Sequence, residues 1–390
     1  MKNTILIIFI LIVGLTNILC AQLKFATPYP PQIFHGTDLK GIVYEIHLMD
    51  SLKRPIEFLD FIISSGNKVL LQDSMYETVP AKGEKNRYVK YVWIDINQTP
   101  NVLTHCIKYR IGTTISDFTR DILIRDDSAV SIGLPVKDGI WYMEGGPSAT
   151  SYHRLSTIAV KTRYDSVKNS FKFGYSNQRF AIDFARLGSN GLLYKNDGHN
   201  NSDHYCYADD AISVANGIIV GVLDSIKENT RPPIADGIHN RDDMTGNFVM
   251  LDIGNGIIAS YAHLMPYSIK VKVGDYVRKG DVIAKIGNSG NSTAPHLHFH
   301  LSKQDNQNKK TTNTFEMFWL SEGISYVFDS YKKYNVISGI FVDVDGEYDV
   351  NVGKFVVKGD TDFKSEPFIL SNPKDIEKSL PYENEIIGTK

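Results

Sequence analysis

At 390 residues the chain is long enough for two or three domains, and its 42% hydrophobic content can fill their cores. A formal net charge of −2, from 42 basic and 44 acidic residues, excludes a strongly basic nucleic-acid face and a long acidic block. The 21 tyrosines and 19 phenylalanines accompany Val- and Ile-rich runs between glycines, a composition that suggests β structure.

The N-terminus has the pattern of an export signal. Lys2 supplies a positive start, residues 5–13 are uniformly apolar, and Leu19-Cys20-Ala21-Gln22 closes the stretch. The apolar core is too short for a membrane span, so residues 1–21 are expected to be a signal peptide cleaved near Ala21. The rival is a lipoprotein acylated on Cys20, against which Leu19 is a poor fit before the cysteine; membrane attachment follows only from that lipidation. No later apolar run is long enough to span a membrane. Cys106 and Cys206 could pair in an oxidising compartment, but they fall in different predicted domains and form no CxxC or other metal-ligand spacing, so they are expected to be buried free thiols.

Residues 22–133 carry short alternating runs, such as Gly41-Ile42-Val43-Tyr44-Glu45-Ile46-His47-Leu48 and Tyr88-Val89-Lys90-Tyr91-Val92-Trp93-Ile94. Alternation at period two marks half-buried strands, and strands at this spacing predict a β-sandwich-like accessory domain. It contains no catalytic constellation.

Residues 134–390 hold most of the histidines and are predicted to form an antiparallel, barrel-sandwich-like β-sheet domain, with a core at 145–330 and a tail at 331–390 packing on it. The run Ile212-Ser213-Val214-Ala215-Asn216-Gly217-Ile218-Ile219-Val220 holds two strands about a glycine turn. Residues 246–253 and 257–263, joined by Gly254-Asn255-Gly256, predict a hairpin. In residues 271–284 the glycines fall where a tightly folded sheet must turn. Residues 271–286 also resemble the glycine-turned strands of biotinyl and lipoyl carrier domains, but lack their Met-Lys-Met tip. Asp343-Val344-Asp345-Gly346 lacks the spaced ligands of a calcium loop and is expected to be a turn.

The sharpest local signal is Pro295-His296-Leu297-His298-Phe299-His300-Leu301. On a strand His296, His298 and His300 share one face while Leu297, Phe299 and Leu301 share the other. Neighbours on one face lie roughly 7 Å apart, which suits one histidine on a metal and the next reaching toward water or substrate. A polar, solvent-facing strand side is the alternative.

Residues 287–299, together with Tyr261-Ala262-His263-Leu264 and the Val-Gly-Asp-x-Val-x-x-Gly-Asp stretch between, resemble in order and spacing the signature of the lysostaphin-like, β-lytic type zinc endopeptidases. The resemblance covers residues 134–330. It implies one Zn²⁺ held by a histidine and an aspartate from upstream plus the second histidine of His-x-His, here His298. The aspartate is best matched by Asp183, in Gln178-Arg179-Phe180-Ala181-Ile182-Asp183-Phe184. The short family motif is His-x-x-x-Asp, and Arg179 stands at its histidine position. Some branches place that histidine further upstream, which assigns His153, with His199 and His204 as competitors.

The resemblance makes His263 and His296 the catalytic histidines beside the metal, and His300 an outer or solvent-exposed residue. The implied function is secreted, zinc-dependent hydrolysis of peptide bonds in bacterial peptidoglycan through a zinc-activated water, with peptide stems or cross-bridges as substrate and no nucleic-acid partner. The alternative is a catalytically inactive envelope regulator or cell-wall binding protein on the same fold.

Overall fold

The computed structural model describes residues 23–50, 54–73, 79–80, 87–124, 129–165, 170–235, 243–304, 314–342, 346–349, 354–357 and 364–389. The expected signal peptide with Cys20, and the turn at residues 343–345, lie outside them. Among the described residues 57% are strand and 2% helix, as the alternating sequence patterns predict for a mainly β fold. Among the described residues no helix is long and apolar enough to cross a membrane.

The chain folds into two compact units. The first comprises Met1–Gln32, Ile42–Asp126 and Ala159–Phe173; the second comprises Ile33–Gly41, Asp127–Ile158 and Gly174–Lys390.

In the first unit the strand Lys40–Asp50 lies between Leu23–Ala26 and Arg87–Ile96. A second sheet runs Lys68–Asp73, Glu57–Ser65, Val102–Ile111, Thr114–Leu123, antiparallel throughout. The two face each other in a sandwich-like manner. Tyr44 of one hydrogen-bonds His105 of the other at 2.6 Å, and Phe58 packs edge-on against Tyr88. Phe171 and Phe173 complete this unit's packing against Ala26, Val89 and Tyr91.

The second unit is built on one long sheet. Its strand order is Val130–Ile132, Tyr326–Tyr334, Ile386–Gly388, Ile140–Glu144, Ile182–Leu187, Leu297–Gln304, Ile257–Leu264, Asn247–Asp252, Gly217–Leu223 and Tyr276–Val277. From Ile140–Glu144 to Tyr276–Val277 the neighbours run antiparallel; Val130–Ile132 and Tyr326–Tyr334 run parallel. The expected hairpin joins Asn247–Asp252 to Ile257–Leu264. Its turn needs positive φ at Gly254 (97°), Asn255 (56°) and Gly256 (72°), which glycine and asparagine adopt at least cost.

The strand Leu297–Gln304 lies near the middle of this sheet and shows why alternation matters. Leu297, Phe299 and Leu301 are fully buried on one face, where the Phe299 ring meets Tyr261 at 5.2 Å and Tyr326 at 5.8 Å. The other face carries His298 and His300. It is not solvent-facing along its length, because the short helix Thr314–Trp319 brings Phe318 and Trp319 over it, against Phe248, Met250, Ile258 and Ala262. Cys106 and Cys206 are both free; Cys206 is buried and donates to the carbonyl of Pro295, whereas Cys106 is only half-buried.

Candidate metal centre

Register brings two of the candidate ligands together. Asp183 on Ile182–Leu187 stands directly opposite His298 on Leu297–Gln304, and His298 is opposite Ala262 on the third strand. Cross-strand partners point to the same face, so Asp183 and His298 meet there. Their polar atoms, His298 Nδ1 and Asp183 Oδ1, are 2.8 Å apart.

The third group arrives on a loop. Ile140–Glu144 pairs with the aspartate strand, ending with Glu144 opposite Asp183. The chain then turns at Gly145 with φ +55° and folds back to place His153 beside the carboxylate. The buried Arg154 braces this loop by donating from Nε to Ser148 O at 3.1 Å and from Nη2 to Ala149 O at 2.6 Å. The Gly145 carbonyl accepts from Ser151 Oγ and from His153 Nδ1, each at 2.8 Å. A carbonyl can only accept, so the His153 proton sits on Nδ1 and Nε2 faces the carboxylate, 3.4 Å from Asp183 Oδ2.

One ligand atom each of His153, Asp183 and His298 lies within 4.8 Å of the others, and all three residues are buried. Among the described residues no other group of three or more such side chains converges in this way. Two imidazole nitrogens and one carboxylate form a donor set that suits zinc and other first-row divalent ions. A tetrahedral ion with bonds near 2.0–2.1 Å needs donors about 3.4 Å apart, a spacing that His153 Nε2 and Asp183 Oδ2 already have. The residues present therefore fit a metal.

Burial sets the charge states. It pushes His153 down to about 4, only partly offset by Asp183. Burial also works against ionisation of Asp183, but His153, His296 and His298 outweigh it and hold the carboxyl well below the usual carboxylate range. A neutral ligand imidazole beside an ionised carboxylate is the state a divalent cation requires.

His263 and His296 flank this cluster. Their rings are 4.9 Å apart, and that of His263 is 5.8 Å from that of His298. His263 Nδ1 donates to Ser289 O and His296 Nδ1 to Ala294 O, both at 2.8 Å. In each ring Nε2 is thereby left as the acceptor nitrogen, and that of His296 lies 3.6 Å from Asp183 Oδ2. Burial, reinforced by the neighbouring histidines, pushes His263 well below its ordinary value. His263 also sits at φ +60°, a conformation costly for a non-glycine residue. It is held there by its N–H to Thr245 O and by the Gly287 N–H on its own carbonyl.

All five expected site residues thus meet at one place. The competitors do not join them: His199 Nδ1 donates to Pro232 O at 3.0 Å, and His204 Nε2 to Gly198 O at 2.9 Å. Arg179, at the motif's histidine position, turns away into a buried ion pair with Glu322 at 3.0 Å. His300 is not solvent-exposed, at 0% accessibility. Sequence reasoning missed Tyr152, whose hydroxyl donates to Asp183 Oδ2 at 2.7 Å while its ring packs on His153. A tyrosine beside a loop histidine has no pattern that marks it.

Residues 234–311 match the model of Peptidase family M23, a span that holds His263, His296 and His298 but not His153 or Asp183. Lysostaphin of Staphylococcus simulans is 49% identical over 55 residues, 14% of this chain and 11% of lysostaphin. The peptidoglycan DD-endopeptidase ShyA of Vibrio cholerae is 43% identical over 56 residues, 14% of this chain and 13% of ShyA. The aligned stretches are thus a small part of either relative's length. The solved structure of Helicobacter pylori Csd3 covers 72% of this chain and 71% of its own, at 14% identity and a TM-score of 0.24, too low to add to the fold described above.

Proposed function

We propose that this chain, which carries a Peptidase family M23 domain, is an exported zinc endopeptidase that hydrolyses peptide bonds of bacterial peptidoglycan. The observation that carries the proposal is the convergence of His153, Asp183 and His298 within 4.8 Å, with two further histidines beside them. The name of ShyA supports peptidoglycan as the substrate class, and the apolar N-terminal stretch of the sequence supports export.

His153 Nε2, an Asp183 carboxylate oxygen and His298 Nδ1 would hold the ion. Zinc bound there supplies Lewis acidity, lowering the pKa of water to about 7 and polarising a peptide carbonyl. The chain's own residues do the rest. His263 and His296 each have Nδ1 committed to a carbonyl, so each presents Nε2 as a proton acceptor. One takes a proton as water adds to the carbonyl, and a protonated Nε2 returns one to the departing amine. The Tyr152 hydroxyl holds one oxygen of Asp183 in place.

The test is digestion of purified peptidoglycan with mass analysis of the products, alongside metal analysis. Wild type is expected to release new amine and carboxyl termini and to contain zinc. His298→Ala is expected to lose both, and His296→Ala to keep zinc but release nothing. Zinc without products in the wild type indicates the inactive regulator instead. Identical product profiles for wild type and His298→Ala end the proposal.

A further inference from the structure

The imidazole of His298 has two nitrogens, and the site accounts for one. Nδ1 faces Asp183, and Nε2 lies 3.0 Å from Nδ1 of His300, two residues on along the same strand face. The two rings are nearly perpendicular, at 72° with centroids 5.2 Å apart. His300 has no exposure to water. Its outer nitrogen, Nε2, has no hydrogen-bond partner among the described residues, and the ring stands edge-on to Phe318 at 5.1 Å. Ser260, opposite His300 in the register, likewise has an unpartnered hydroxyl.

As a core residue His300 is a poor choice. A buried N–H without an acceptor destabilises the fold, and leucine would fill the space beside Phe318 without that cost. What leucine cannot do is accept a proton from its neighbour. If Nδ1 of His298 is to offer its lone pair to a cation, the ring's single proton must be on Nε2. That proton then needs an acceptor in a place no water reaches. His300 Nδ1 is that acceptor, and the arrangement sends the proton of His300 outward to its own Nε2.

We propose that His300 is a positioning residue for the metal ligand His298, fixing by its Nδ1 the tautomer and ring orientation that direct the His298 Nδ1 lone pair toward the ion. The inference rests on the metal reading above. A partner for the outer nitrogen of a ligand histidine raises ligand basicity and holds the ring, and its loss weakens metal affinity by about 10- to 100-fold.

The test measures zinc affinity by competition with a chromophoric chelator, in wild type, His300→Leu and His300→Gln, together with melting of each metal-free protein. His300→Leu is expected to bind zinc about 10- to 100-fold more weakly while its metal-free form melts at or above the wild-type temperature. His300→Gln, whose amide oxygen restores an acceptor, is expected to recover most of the affinity. Nitrogen-15 spectra of the zinc-loaded wild type, which need no variant, should show His298 protonated on Nε2. Wild-type affinity in His300→Leu, or weakened binding that parallels lost metal-free stability with no recovery in His300→Gln, overturns the inference. So does a His298 proton on Nδ1 in the loaded protein. Wild type that binds no zinc removes the metal reading, and this inference with it.

Discussion

Gly145 is the residue on which the loop ligand turns. It sits at φ +55°, and a Cβ there would lie 2.5 Å from the Tyr152 hydroxyl and 2.9 Å from His153 Nδ1. Its carbonyl is also the acceptor that orients His153. Gly145→Ala therefore strains the backbone by about 1–2 kcal/mol and displaces the partner of a ligand ring. Zinc affinity by chelator competition is expected to fall about 10- to 100-fold, with a smaller loss in thermal stability. Unchanged affinity would show that the loop re-forms around the added methyl. At this scale the His-x-His pair and Asp183 were legible from spacing and family pattern. His153 was harder to separate from His199 and His204, because all three are loop histidines and their order along the chain carries no distance. Hydrogen bonds from loop backbone make the choice: Gly145 turns His153 into the cluster, while Pro232 and Gly198 hold the other two elsewhere.

Among elements, the strand Leu297–Gln304 follows its period-two pattern, and its apolar face was legible without a structure. The environment of its other face was not, because the helix that covers it lies beyond the strand and its packing there is a tertiary event. The same limit applies to Arg179, just before the aspartate strand. It stands where the short family motif has a histidine, and its guanidinium bonds Glu322 Oε2 and the Gly323 carbonyl, on a strand paired with the end of Leu297–Gln304. This buried pair ties the entry of the aspartate strand to the exit of the histidine strand. Arg179→Met leaves Glu322 buried without its guanidinium, and breaking such a pair costs about 3–5 kcal/mol. The double change Arg179→Met with Glu322→Leu is expected to recover most of that loss, measured by denaturant unfolding. A single variant as stable as wild type would mean that the pair does not hold the two strands.

At the scale of the molecule, stability should follow the buried neutral histidines of both units. In the first, His105 is bonded between Tyr44 and the Arg120 carbonyl, and burial pushes it down to about 4 against the opposing pull of the Arg120 and Leu103 backbone and of Asp121. In the second, burial likewise pushes His204 down to about 4, against the Gly198 carbonyl and Asp203 and in the same direction as His296. In an unfolded chain each protonates near 6.5. Between the two values the unfolded state binds the extra proton, so stability is full above about pH 6.5 and is lost as the pH falls toward 4. The slope is about 1.4 kcal/mol per pH unit for each histidine. From pH 7.5 to 5 His105 alone then accounts for about 2 kcal/mol, spent by a residue that no catalytic role requires. His105→Asn should lower stability at pH 7.5 yet flatten its decline toward pH 5 by about that amount, read from the melting of the metal-free protein. Parallel declines in wild type and variant would show that acid reaches the fold through other groups.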